Sequence, residues 1–300
     1  MINKRLTIGK LKYNVSAWLI MLPSLALCAF FLWVPLLQGI RMSLYRTRNI
    51  ELVEFVGIQN YISVFQRSEY IQALLNTLSY TFWSLLIGFL IPIFIAILIG
   101  ETVRMKGFFR TATYIPNILP GLAAIILWSA FFSAEETGVL NIILGSLGVE
   151  RMTFLSEEKL VIPIIVTVAT WKGAGATALI YMAGLAGINP ELYEAATIDG
   201  AGIWRRLRSI TIPSIFNLGS TLLILQIIAV FQIMYEPLIL TKGGPDNASL
   251  SLMLLMWRYA FGGGTMDFGR ASAVAVSIAF ILLIFTTLYS IVNRRKVDME

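Results

Sequence analysis

Few side chains in this sequence are equipped for chemistry, and their spacing points to contact rather than to bond-making. Residues 188–215 concentrate charge: Glu191, Glu194 and Asp199 precede Gly200, and Arg205, Arg206 and Arg208 follow it. Lys172 is the one full charge well inside an apolar run, and Gln226, Gln232 and Tyr235 are polar groups in another. Gly243-Gly244-Pro245 is a sequence for a tight turn. Histidine is absent, which removes a histidine-dependent catalytic triad and any zinc site built on histidine. Cys28 is the only cysteine, so no disulfide forms within the chain, and it reads as a small buried packing residue. No G-x-x-x-x-G-K-[ST] occurs, so this chain does not cradle ATP through a P-loop.

The elements that must position these groups are membrane spans. Apolar residues make up 57% of the 300 residues and charged residues 13%, about half of the roughly 25% usual in soluble domains. A soluble chain of this length cannot bury so much apolar surface. Six charge-poor stretches, 17–40, 70–100, 111–134, 160–190, 209–235 and 271–293, each exceed the roughly 20 residues a helix needs to cross the hydrocarbon core. Pro92 and the prolines of the third stretch, Pro116 and Pro120, predict kinks. The first run is too long for a signal-peptide core and is read as a retained span. The net charge of +6 does not imply nucleic acid, because the basic residues sit at the ends of the runs. With both termini in the cytoplasm, thirteen Lys and Arg fall inside and nine outside, the bias expected for that orientation. The expected organisation is a cytoplasmic segment 1–16, a six-helix domain 17–293 and a cytoplasmic tail 294–300.

The loop between the fourth and fifth spans carries the densest signal. Pro190 suits the first turn of a helix, and Glu191 and Glu194 suit its dipole. Leu192, Ala195 and Ala196 present a small, smooth face; Gly200 and Gly202 end the helix, and a basic helix then leads to Pro213. An amphipathic helix lying among lipid headgroups is the plainer reading. The small-residue face fits a knob entering a protein cleft better than it fits a lipid surface.

At these residues the sequence resembles a family. Glu194-Ala195-Ala196, then Gly200, then after nine residues Ile210-Thr211-Ile212-Pro213, looks like the E-A-A loop of membrane subunits of binding-protein-dependent ABC importers. Thr241-Lys242-Gly243-Gly244-Pro245 resembles the T-x-G-G-P of its carbohydrate branch, of the maltose and glycerol-phosphate type. The resemblance implies an all-α, polytopic type I importer permease fold of six transmembrane helices in a bacterial or archaeal cell membrane. It implies that loop 188–213 docks on a separate ATPase, with Glu194, Ala195, Ala196, Asp199, Gly200 and Pro213 in the coupling segment. Its partners would be a distinct sister permease, two ATPase subunits and an extracytoplasmic solute-binding protein. ATP and magnesium would reside on the ATPases and no cofactor on this chain, which is a transport subunit and not an enzyme. Gly243, Gly244 and Pro245 would shape the outer gate or the binding-protein surface.

The family register places a sugar-contacting face at Gln226, Val230 and Ile233 in span five and near Ala169 and Gly173 in span four. Thr167, Thr170, Trp171, Lys172 and Tyr181, with Asn76 and Ser79 in span two, are further candidates for the path. Each alone is more often interhelical glue than a ligand, and the small residues 173–176 more often mean close helix packing. Lys172 would meet an anionic sugar, or else bond to carbonyls or to another subunit. The expected function is one half of the path for a carbohydrate, an oligosaccharide by preference. One alternative is the same architecture for an anionic solute such as a glycerol-phosphate or uronate. The other is an ion-coupled secondary transporter, which usually needs intramembrane carboxylates; only Glu236, at a span boundary, offers one.

Overall fold

The computed structural model describes residues 17–101, 104–262 and 266–297, with side chains through residue 293. The basic groups Lys4, Arg5, Lys10 and Lys12, and the side chains of Arg294, Arg295 and Lys296, lie outside the described residues. The chain is helical almost throughout. The long elements are α1 (Ala17–Ser43), α3 (Ser68–Glu101), α7 (Glu158–Ala186) and α12 (Phe268–Val297). Span five is a pair, α9 (Phe216–Phe231) and α10 (Tyr235–Leu240). Among the described residues five segments are long and apolar enough to cross a bilayer, and a bent pair makes a sixth.

That bent pair corrects the third sequence-derived span. Residues 111–134 are not one helix: α4 (Lys106–Ile118) and α5 (Gly121–Phe131) meet at 95°. Leu119 and Pro120 are extended, with ψ of 137° and 132°, as a residue before proline and a proline at a helix entrance prefer. The fifth span is also shifted. It begins at Phe216 rather than 209, breaks after Phe231, and resumes as α10. Pro237 has no N–H for the carbonyl of Ile233. The Ser251 hydroxyl donates to that carbonyl at 2.6 Å, while its oxygen accepts from the Leu254 N–H and caps α11 (Leu252–Phe261).

Three helices take a π turn just ahead of a proline. Ala29–Trp33 precedes Pro35, Ser84–Phe89 precedes Pro92, and Leu207–Thr211 precedes Pro213. In each case the carbonyl that proline leaves without a donor, four residues back, lies inside the π turn, so the wider winding absorbs the missing bond. The irregularity expected at Pro92 therefore sits one turn earlier.

Packing is organised around α7. Gly175 lets the α4 backbone at Thr113 and Tyr114 come against it, with no room for a side chain between. One core cluster joins Ala96 and Ile99 of α3, Ala178, Tyr181 and Met182 of α7, and Ile215. Another gathers Tyr70 and Ala73, Phe231, Leu250, Leu252, Leu254 and Leu255, and Val274 and Ile278 at the opposite end. At that end a hairpin, β1 (Tyr45–Arg48) with β2 (Glu51–Phe55), follows α1, and α2 (Gln59–Phe65) follows the hairpin. The Asn60 amide holds them together by donating to the Ser43 and Tyr45 carbonyls at 2.9 and 2.8 Å. The N-terminal part of α1 is exposed, Cys28 with it, which corrects the reading of that cysteine as buried.

Candidate functional site

The loop between α7 and α9 forms as its residue types require. Asn189 caps α8 (Pro190–Ile198), its side-chain oxygen accepting from the Glu191 N–H at 3.1 Å, and Pro190 occupies the first turn. The helix ends in a Schellman pattern. Gly200 N–H reaches the Thr197 carbonyl at 3.1 Å and Ala201 N–H the Ala196 carbonyl at 2.8 Å, with Gly200 at φ +73°. A turn Ile203–Arg206, the π turn and Ile212–Ser214 lead to α9. One side-chain bond returns from α8 to this segment, between the Tyr193 hydroxyl and Thr211 Oγ1 at 2.9 Å.

The rest of α8 is open. Glu194, Ala195 and Asp199 are exposed, and among the described residues Glu194 has neither an ion pair nor a side-chain hydrogen bond. Sequence reasoning passed over the bulky side chains beside it. Ile198 is 86% exposed and Trp204 84% exposed, so the smooth alanine face is flanked by two large apolar groups.

The second candidate region is a cavity of about 360 Å³ between α3, α7 and the α9–α10 break. Gln226, Val230 and Ile233 line it, as do Ala169 and Gly173, so the structure brings together the five positions placed there by the family register. Gly173 has open space where a side chain would stand, which corrects its reading as a packing residue. The Gln226 amide donates to Ser84 Oγ at 2.5 Å, so it ties two spans while facing the cavity. Because the helix breaks after Phe231, Gln232, Ile233, Met234, Tyr235 and Glu236 all reach the cavity in succession. A continuous helix would turn some of them away.

Other candidates lie elsewhere. Trp171 packs edge-on against Trp128 and lines a neighbouring cavity with Ile91, Thr113 and Pro116. Lys172 lines neither cavity; its stem passes beside Gly121 at the start of α5. Tyr181 is fully buried in the core. Asn76 donates to the Asn247 and Leu250 carbonyls at 2.7 and 3.0 Å, and so holds a loop rather than a path. Ser79 is outside the cavity lining.

That loop is the third region, 241–251. Gly243 has φ +85°, and a Cβ there would press on the Arg258 guanidinium and Leu254. Arg258 clamps the turn, donating to Asn247 Oδ1 at 2.7 Å and to the Lys242 carbonyl at 2.6 Å. Burial pushes its pKa down from the ordinary value, and Glu69 acts in the opposite direction. Ser249 Oγ donates to the Gly244 carbonyl at 2.7 Å, the Tyr80 hydroxyl donates to the Ser249 carbonyl at 3.0 Å, and Gln72 donates to the Asp246 carbonyl at 3.0 Å.

Comparison with known proteins gives these regions a context. Residues 65–298 match the family described as binding-protein-dependent transport system inner membrane component. The chain is 32% identical over 296 residues to a trehalose/maltose transport system permease of Thermococcus litoralis, covering 97% of this chain and 98% of that one. It is 31% identical over 261 residues to an arabinooligosaccharide transport permease of Bacillus subtilis, covering 86% and 82%. Its fold is similar to a chain of a bacterial ABC transporter importing the acidic polysaccharide alginate, with a TM-score of 0.84, 27% identity and coverage of 97% and 99%. The chain is a multi-pass cytoplasmic-membrane protein that belongs to the family of binding-protein-dependent transport system inner membrane components.

Proposed function

We propose that this chain forms one half of the translocation path of an ATP-driven carbohydrate importer and takes its drive through α8. The observation that carries the reading is the state of α8. It is capped at both ends, tied to the following segment by the Tyr193–Thr211 hydroxyl pair, and carries an exposed Glu194 that finds no partner among the described residues. A helix finished internally but unsatisfied on its outer face suits a groove on a second protein. In this reading the second protein is an ATPase that holds ATP and magnesium, and Glu194, Ala195, Ala196, Asp199 and Gly200 form the contact, with Pro213 ending the segment. ATP-driven closure of two such ATPases biases the lever between two positions, as a switch between inward and outward access requires.

The path on this reading is the cavity lined by Gln226, Val230, Ile233 and Gly173, completed by a sister permease. The amides and hydroxyls along it suit sugar hydroxyls, and discontinuous spans are where transporters place their cargo sites. The 243–245 turn shapes the outer side, where a solute-binding protein delivers cargo, and both termini lie in the cytoplasm. Support for a saccharide comes from relatives named for trehalose and maltose, arabino-oligosaccharides and alginate.

Glu194→Ala tests the coupling. In vesicles holding the complete importer, the variant is expected to insert normally and to lose saccharide-stimulated ATP hydrolysis by about a hundredfold, roughly 2.7 kcal/mol of coupling. Normal stimulation at a normal amount of assembled complex would show α8 to be a passive surface helix.

A further inference from the structure

The cavity of about 360 Å³ has one charged side chain in its lining, and it is an acid. Its polar lining is otherwise neutral, drawn from Ser84, Thr170, Thr177, Gln226, Gln232 and Tyr235. Glu236 reaches the lining because the chain unwinds after Phe231 and restarts at Tyr235, so its position is set by the helix break. It is half-buried, and among the described residues it forms no salt bridge. Lys172 is near enough to act on it electrostatically but makes no ion pair with it and does not line the cavity. A cargo in this space therefore meets a carboxylate and, among the described residues, no cation.

We infer that the Glu236 carboxylate makes this subunit select uncharged saccharides over acidic ones. This selectivity rests on the carbohydrate reading above and narrows it. A carboxylate is an acceptor with two oxygens, and a saccharide offers pairs of neighbouring hydroxyl donors. Hydrogen bonds to an ionised acceptor are about twice as strong as neutral ones, so a neutral sugar gains from this group. A uronate or sugar phosphate brings a like charge into a partly desolvated space, where repulsion is far less screened than in water. Lys172, on the same grounds, serves the protein rather than the cargo. It partly balances a carboxylate that the cavity keeps available.

The test uses the complete importer in vesicles, with maltotriose and arabinotriose as neutral probes and trigalacturonate as the acidic probe. Uptake is corrected for the amount of assembled complex, and the same binding protein serves every variant. Wild type is expected to carry a neutral probe and to exclude trigalacturonate. Glu236→Gln should raise the apparent KM for the neutral probe about threefold to tenfold, the difference between one charge-assisted bond and the neutral one that the glutamine oxygen still accepts. Glu236→Lys should raise it further and improve trigalacturonate as a competitor, while Lys172→Met should leave the neutral-to-acidic preference as in wild type. Trigalacturonate carried as well as the neutral probes by wild type would overturn the inference. So would an unchanged KM in both Glu236 variants, and so would a loss confined to the amount of assembled complex, which marks a structural role. If no probe moves or stimulates ATP hydrolysis in any variant, the carbohydrate reading falls and this inference with it. Uptake that ignores Glu236 overturns the inference alone.

Discussion

The α8 loop and the 241–251 turn both bend at a glycine with positive φ, yet they are finished in opposite ways. Around Gly243 almost every polar group is satisfied within the chain: Arg258, Asn76, Tyr80 and Gln72 converge on the turn from two helices. Around Gly200 no atom lies within 4 Å of where a side chain would stand, and one hydroxyl pair links α8 to the π turn ahead of Pro213. Buried polar groups must be paired, whereas exposed ones can wait for a partner. The turn is thus complete as a piece of this subunit, and the loop keeps an open outer face for the partner proposed above.

The same substitution at the two glycines breaks this comparison most directly. Alanine at either position meets a left-handed backbone cost of about 1–2 kcal/mol. At Gly243 it must also displace the Arg258 guanidinium, so the total there is expected to reach about 4 kcal/mol. Thermal unfolding of the purified complex in detergent should show Gly243→Ala melting well below Gly200→Ala; equal midpoints would mean the turn is no more tightly finished than the loop. Arg258→Met keeps the stem but leaves the Asn247 and Lys242 acceptors without their donor. We expect a loss of about 2 kcal/mol by the same measurement, and a wild-type midpoint would show the clamp to be idle. Tyr193→Phe is the smallest change, removing one neutral hydrogen bond worth about 1 kcal/mol. It should leave the melting point nearly unmoved and lower stimulated ATP hydrolysis by up to about fivefold, because it loosens the lever rather than the fold. A shift in melting alone would place Tyr193 with the structural residues.

The sequence foretold α8 closely because each of its signals is local: a proline at the first turn, acids in that turn and a glycine beyond the last. Its spans were legible as apolar runs for the same reason. What escaped depends on non-local satisfaction. The break after Phe231 lies within an apolar run, and its signal was Pro237, whose orphaned carbonyl partner is met by a serine eighteen residues along the chain. Trp171 and Lys172 share a turn with Gly173, and only the packing of α4 and α5 decides which of the three looks into the cavity. Asn76 has the composition of a path residue, and only its carbonyl partners in the turn identify it as a tether.

The π turn at Ser84–Phe89 has a consequence for how α3 tolerates insertion and deletion. Its buried positions recur at Tyr80, Ser84, Gly88, Pro92 and Ala96, a step of four. An α-helix overshoots a full turn by about 40° at each such step, so uniform winding would carry the stripe well around the helix by Ala96. The wider turn takes up that drift and keeps both halves of α3 in phase against α7. Deleting one residue within 84–89 removes about 100° of winding, and the return to regular winding adds about the same back, so Pro92, Ala96 and Ile99 would keep their face toward α7. A deletion elsewhere in α3, with no wide turn to absorb it, would rotate the remainder by about 100° and turn those residues toward lipid. Hydropathy would hardly distinguish the two deletions, yet only the second loses the packing register.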